Sequence, residues 1–297
     1  MSNLITDLES AITSATGAVF HVKQQRSVGG GCINEAFVIS DRADSTRQYF
    51  VKTNRAALHH MFVAEAAGLV ALGEGMRVPQ PIADGVSGAQ AWLVLEYLPM
   101  AGSPDPESMG AALARVHRIT PTGLTKGSPR FGWDIDNTIG STPQSNRWNQ
   151  SWIDFWRDER LLPQFKLARH NGCDFGAAGA KLLDKLPEFF RDYTPQPSLL
   201  HGDLWGGNAA GLADGTPVIF DPACYFGDRE CDLAMTELFG GFGPRFMAAY
   251  HAAWPIDAGY AQRKTLYNLY HIINHVNLFG SGYEGQARQM IATLLRA

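Results

Sequence analysis

The stretch that most restricts what this chain can fold into is His201-Gly202-Asp203-Leu204-Trp205-Gly206-Gly207-Asn208, with Asp221-Pro222-Ala223 beyond it. An apolar run, Ser198-Leu199-Leu200, leads into the first segment, and a second, Val218-Ile219-Phe220, leads into Asp221. Both runs read as short buried strands. They deliver an Asp, an Asn five positions on, and a second Asp at strand ends. Such oxygen donors suit magnesium, which usually takes one or two protein carboxylates and fills its other positions with phosphates and water. As a bare tripeptide, His-Gly-Asp would be no more than a turn with a capping Asp. The spacing and the flanking strands carry the argument.

That order is similar to the catalytic half of a kinase-fold phosphotransferase, in which one Asp accepts the proton of the substrate hydroxyl while an Asn and a second Asp hold magnesium. Gly202 stands where protein kinases carry an Arg, so activation by loop phosphorylation is not expected and a small-molecule kinase is. His201 reads as a structural residue that packs and bonds backbone, which leaves Asp203 as the better base.

The amino-terminal third supplies a matching nucleotide half. Residues 28–34, Val28-Gly29-Gly30-Gly31-Cys32-Ile33-Asn34, lie between two predicted strands, and glycines let backbone amides approach phosphate oxygens. A flexible hairpin turn would have the same composition. Lys52 sits in the strand-like run Tyr49-Phe50-Val51-Lys52, where a buried ammonium needs an anion, and Glu65 on the following helix is the obvious partner. A solvated edge-strand Lys with an exposed helical Glu is the alternative. The run Leu93-Val94-Leu95-Glu96-Tyr97-Leu98 ends where two lobes would join, so the backbone of Glu96 and Leu98 is placed to meet an adenine edge. Cys32, beside amides and Lys52, is expected to be electropositive in its surroundings and open to oxidation.

Periodicity predicts a leading helix over residues 2–15, strands over 19–27, 35–40 and 48–53, a helix over 57–73, and strands over 78–86 and 91–97 joined by a turn at 85–88. From about residue 105 the pattern is helical, over 107–117, 150–170, 176–191, 229–239, 244–253 and 260–280, with a Gly/Pro-rich loop over 121–145. The expected class is α+β, two-lobed and kinase-like. A small antiparallel-sheet lobe with one main helix spans residues 1–98, and a larger, mostly helical lobe spans 99–297.

Bulk properties agree with a globular enzyme. Of 297 residues, 45% are hydrophobic and 18% charged, enough for a large core. A formal net charge of −4 gives no electrostatic support for binding nucleic acid or an anionic membrane. The four cysteines form no Cys-x-x-Cys pair, which argues against a zinc site or a disulfide framework. The first residues lack a basic segment before an apolar core, so no secretory signal is expected and a cytoplasmic location is. The chain is expected to act as a monomer or homodimer.

Taken together, the motifs resemble the fructosamine kinase (ketosamine-3-kinase) family, within the aminoglycoside- and choline-kinase-like phosphotransferases. The resemblance rests on Gly29 to Asn34, Phe50-Val51-Lys52, Met61-Phe62-Val63-Ala64-Glu65 and Phe131-Gly132-Trp133-Asp134. It continues through Asn137-Thr138-Ile139-Gly140, Pro143-Gln144, the His201 to Asn208 segment and Asp221-Pro222-Ala223. It ends with Gly227-Asp228-Arg229-Glu230-Cys231-Asp232-Leu233-Ala234-Met235 and Phe239-Gly240-Gly241-Phe242. It implies Asp203 as base, Asn208 and Asp221 as magnesium ligands, and Lys52 with Glu65 as the pair that orients the phosphates of ATP. It further implies phosphorylation of the 3-hydroxyl of a sugar amine on a glycated lysine or N-terminus, whose unstable product releases the amine. Bacterial-looking members are similar to enzymes that prefer ribulosamines or erythrulosamines. Trp205 fits a stacking platform for the sugar, with plain core as the competing view. Asp228 and Asp232 fit either contact with a cationic substrate amine or capping of the next helix. Choline, homoserine or an aminoglycoside as acceptor, and a silent nucleotide-binding scaffold, are the competing functions.

Overall fold

The computed structural model describes residues 4–29, 33–122 and 130–297. Its amino-terminal part is a five-stranded antiparallel sheet of order β1-β2-β3-β5-β4, built from β1 (Val22–Ser27), β2 (Glu35–Asp41), β3 (Gln48–Arg55), β4 (Pro81–Ser87) and β5 (Gln90–Glu96). Helix α1 (Leu4–Thr16) precedes the sheet and α2 (His59–Leu72) crosses from β3 to β4. The two-residue period of a strand explains how β5 serves two cores at once. Trp92 and Val94 join Leu8 and Ile12 of α1, whereas Leu93 and Leu95 face Phe62, Leu69 and Leu72 of α2. With an element on each face, β5 is buried throughout its centre and reads as a continuous apolar run.

The carboxy-terminal part is mostly helical. It holds α3 (Pro106–Val116), α4 (Trp152–Phe155), α5 (Leu162–His170), α6 (Gly176–Lys185), α7 (Glu230–Leu238), α8 (Gly243–Ala253), α9 (Tyr260–Phe279) and α10 (Glu284–Arg296). Three short antiparallel pairs interrupt the helices: β6 (Asn137–Ile139) with β7 (Thr142–Gln144), β8 (Pro197–Leu200) with β11 (Tyr225–Asp228), and β9 (Ala209–Gly211) with β10 (Pro217–Ile219). Helix α7 is buried along nearly its whole length, and α9 buries 12 of its 20 residues. These two helices form the wall on which the polar loops rest. Among the described residues, no helix is long and apolar enough to cross a membrane.

Most predicted elements are present, with differences that have local causes. The single helix expected over 150–170 is split by a π-helical stretch, Trp156–Leu161. There Arg160 turns fully inward, donates to the carbonyl of Ser145 and to Asn146 Oδ1 (2.7 Å each), and lies over the rings of Phe155 and Tyr225. The turn before β5 is Gly88-Ala89 and not residues 85–88, because Gly85 is still in β4 and faces the Trp92 ring. Helix α10 was not expected. Its buried stripe is only Ala287, Ile291 and Leu294, with Met290 and Leu295 packed beside it and polar residues interspersed. The β6–β7 hairpin lies inside the segment read as irregular loop.

Candidate active site

The Asp203 loop is hung from the buried helix α7. Asp232 accepts the backbone N–H of His201 at Oδ2 (2.7 Å) and that of Gly202 at Oδ1 (2.9 Å), while the buried ring of His117, the residue that ends α3, lies 3.2 Å from Oδ2. His201 is fully buried and structural, as expected. Its Nε2 donates to the Phe220 carbonyl (2.9 Å), and its Nδ1 accepts the Asp203 amide (3.2 Å). Burial pushes the His201 pKa down, consistent with the neutral ring those two bonds require.

Gly202 explains the missing Arg. Its φ is +81° and a Cβ there would sit 2.2 Å from the carbonyl oxygen of Ala223. Gly202→Ala should therefore cost at least about 2 kcal/mol of stability, since both the left-handed backbone and the backbone contact oppose a side chain. A denaturant melt of the variant checks this; an unchanged midpoint would contradict it.

Asn208 Nδ2 donates to the Asp203 carbonyl (2.9 Å) and to Asp203 Oδ2 (3.2 Å), which leaves Asn208 Oδ1 for a ligand. Asp221 has φ +58°, the sole positive value for a non-glycine among the described residues. Strained backbone of this kind collects at functional sites. Across the cleft, Lys52 Nζ donates to Glu65 Oε1 (2.5 Å) and to Asp221 Oδ1. Burial works against the Lys52 ammonium, but the two carboxylates outweigh it and hold its pKa above the ordinary value. Burial, helped by the charges of Asp221 and Asp232 and opposed by the Asn208 hydrogen bond, pushes Asp203 up to about 7.

These side chains share one cavity of about 680 Å³, a size suited to a small-molecule site. Lys52, Glu65, Asp203, Asn208 and Asp221 line one side of it, with Ile33 and Asn34 at its edge. Asn54 pins that edge by donating to Asn34 Oδ1 (2.7 Å) and to the Ile33 carbonyl (3.1 Å).

The fructosamine kinase family model matches residues 4–297. The chain belongs to the fructosamine kinase family. It is a phosphotransferase with a sugar-amine hydroxyl as its acceptor class and ATP as donor. A "Probable ketoamine kinase" of Synechocystis sp. is 48% identical over 96% of this chain and 95% of that protein. A chloroplastic protein-ribulosamine 3-kinase of Arabidopsis thaliana is 42% identical over 94% and 85%. A crystal structure from Haemophilus somnus bearing the fructosamine-3-kinase name superposes with a TM-score of 0.85 at 28% identity, covering 99% of this chain and 100% of that one. An aminoglycoside phosphotransferase mutant, solved with AMP-PNP and hygromycin B, shares the fold at a TM-score of 0.61 and 17% identity, over 98% of each chain.

Not every predicted residue of this kinase lies in the cavity. Gly29 is exposed at the end of β1, and Gly30, Gly31 and Cys32 lie outside the described residues. Glu96 and Leu98 do not line the cavity: the Glu96 side chain pairs with Arg77, its N–H donates to the Gln80 carbonyl, and the Leu98 carbonyl accepts from Met100. Asp228 is a correction. It is fully buried, and its carboxylate accepts from Tyr193 (2.9 Å), Tyr267 (2.5 Å) and the Glu230 amide (3.1 Å). It ties the start of α7 to α9 and does not line the cavity. Trp205, in contrast, is 40% exposed on the cavity wall, which excludes the plain-core alternative. The rest of the cavity lining, which no motif announces, comes from the tip of the β6–β7 hairpin and from His271, Asn274, His275 and Phe279 of α9. The spacing of three and four residues among His271, Asn274 and His275 was the available signal, since it puts all three on one helix face.

Proposed function

We propose that this kinase transfers the γ-phosphoryl group of ATP to the 3-hydroxyl of a ketosamine, a ribulosamine, erythrulosamine or fructosamine carried on a glycated amine. The unstable 3-phosphate then breaks down and frees the amine. The observation that carries this reading is a carboxyl tuned to about 7, Asp203, in the same cavity as an exposed indole and the Lys52–Glu65 pair. A base poised near working pH is what hydroxyl activation asks for. The Arabidopsis relative's name, protein-ribulosamine 3-kinase, supports the acceptor and the position.

In this reading the Asp203 carboxylate takes the proton of the acceptor hydroxyl as its oxygen attacks the γ-phosphorus and ADP leaves. Lys52, oriented by Glu65, meets the α- and β-phosphates, and the glycine-rich turn that ends at Asn34 is assigned to the same phosphates. The adenine edge is assigned to the backbone of Glu96 and Leu98, which lies outside the lining of this cavity. Asn208 Oδ1 and Asp221 Oδ2 face one cavity as two hard oxygen donors, a set that fits magnesium completed by phosphate and water. When bound, magnesium would neutralise phosphate charge. We place the lobe division at residues 98 and 99. The exposed rim of Trp205, Phe239 and Phe279 gives a protein-bound lysine room to enter.

Trp205 stacks its ring over Gly207 and meets Phe239 edge-on at 6.3 Å, so it is held ready as a sugar platform. Trp205→Ala should raise the sugar-amine KM about threefold to tenfold, the worth of one aromatic contact, and leave the ATP KM nearly unchanged. An equal loss of ATP affinity would remove the platform role. The function itself is tested by ATP consumption on a panel of ribulosamine, erythrulosamine, fructosamine, choline and aminoglycosides. The sugar amines should lead in kcat/KM. Preference for choline or an aminoglycoside would overturn the acceptor, and nucleotide binding without any turnover would mark a silent scaffold.

A further inference from the structure

The left-handed backbone of Asp221 persists only if its surroundings over-determine it. Its side chain is tied to Lys52, but the residues that follow are tied elsewhere. The Ala223 N–H donates to the His201 carbonyl (2.8 Å). The next two carbonyls accept from side-chain amides of the β6–β7 hairpin: Asn137 Nδ2 donates to Cys224 O (2.8 Å) and Gln144 Nε2 to Ala223 O (3.4 Å). Gln144 Nε2 also donates to Asn137 Oδ1 (2.7 Å), and the Tyr270 hydroxyl of α9 donates to Gln144 Oε1 (2.5 Å). Asn137, Gln144 and Tyr270 are 8%, 2% and 3% exposed, so water cannot readily replace a lost partner. The chain of bonds has one direction. Turning either amide over would set oxygen against oxygen or donor against donor.

We propose that Asn137 and Gln144 are positioning residues that hold Asp221 in its metal-ligating conformation. The proposal rests on the reading of Asp221 as a magnesium ligand. It gives the 137–144 hairpin a reason to exist. Its amides brace the metal side while its tip, Thr138 to Ser141, walls the acceptor side of the same cavity. The tip is itself wedged in place, since a Cβ on Gly140 would meet Leu278 of α9 at 3.0 Å and Ile33 at 3.8 Å. The Asp221 segment is thus braced by built-in amides, with no need for a phosphorylated loop to order it, which accords with Gly202 in place of the Arg that would read such a loop. Gln144 lies outside the cavity lining, and Asn137, which lines it, has its amide committed to Cys224 and Gln144, so each acts through the Asp221 segment.

The test is calorimetric binding of ADP to the full chain, with magnesium and with EDTA, which needs no turnover. Gln144→Met keeps side-chain volume and removes the donors, and Asn137→Ala is the second variant. Each should weaken Mg·ADP binding about fivefold to twentyfold, the effect of one or two lost buried hydrogen bonds. Binding of metal-free ADP should change less than twofold, and Gln144→Met should leave the acceptor KM within twofold. Asp221→Asn is the control. If it binds Mg·ADP like the wild type, the reading of Asp221 as a ligand fails. If it is impaired while both hairpin variants, folded by circular dichroism, bind Mg·ADP normally, the positioning proposal fails and the ligand reading stands. Loss of a cooperative melt in both hairpin variants would also overturn the proposal, in favour of a purely structural role.

Discussion

Asp203→Asn should lower kcat by about 10²–10⁴-fold, the usual worth of a general base, with ATP affinity and fold retained. Retention of the fold follows from the burial that raises the Asp203 pKa. A carboxyl whose pKa is raised to about 7 ionises more readily in the unfolded chain, so its ionisation opposes folding at neutral pH. Stability from this group is full below the unfolded value and falls as pH rises towards 7. A neutral Asn removes that penalty, and the melting temperature at pH 8 should be equal or higher in the variant. In the wild type, kcat/KM should climb with pH up to about 7, where Asp203 becomes the carboxylate, and then level. The climb should vanish in Asp203→Asn. A variant with near-normal turnover, or with an unchanged pH profile, would refute the assignment.

Asp232→Ala should be the most damaging single change to the scaffold. It strands the buried amides of His201 and Gly202 and takes a partner from His117, which is fully buried and whose Nδ1 meets only Tyr250. Removing one side of a buried charged network costs about 3–5 kcal/mol, seen as a large drop in melting temperature. Turnover should fall as well, because the Asp203 loop loses its anchor. The pH dependence runs opposite to that of Asp203. Burial pushes the Asp232 pKa up, but the His117 hydrogen bond and charge, with His201 and the Gly202 amide, prevail and hold it below the ordinary carboxylate range. Its stabilisation is therefore complete above the unfolded pKa near 4 and is lost as pH falls through the lowered folded value. A melt of Asp232→Ala matching the wild type at pH 7 would sink the anchoring role.

The proposed phosphoryl-transfer residues were legible because they are concentrated in contiguous motifs. Strand-end residues announce themselves through the apolar run before them, which is how Asp203 and Asp221 could be picked out; Asn208 followed from its spacing of five from Asp203, and a Lys in a β-branched strand asks for an anion, which is how Lys52 led to Glu65. The five-stranded sheet and its helix were readable for the same reason, since their periods are local properties of the chain. Asp228 and Asp232 were not separable in this way. Both are acidic and four residues apart, yet one faces two tyrosines from distant segments and the other faces the catalytic loop. Only packing decides which buried amide or hydroxyl a carboxylate will meet.

The far wall of the cavity shows the same limit. His271, His275 and Phe279 are ordinary positions on an amphipathic helix until α9 is laid across the hairpin and the catalytic loop. The order of motifs along the chain determined the fold class and pointed to the proposed phosphoryl-transfer centre, because strand and loop geometry follow from neighbouring residues. The shape of the acceptor pocket, the burial of Asp228, the anchor at Asp232 and the amide brace on Asp221 were decided by tertiary structure alone. Each depends on contacts between residues far apart in sequence, whose meeting is set by the packing of helices and not by any local pattern.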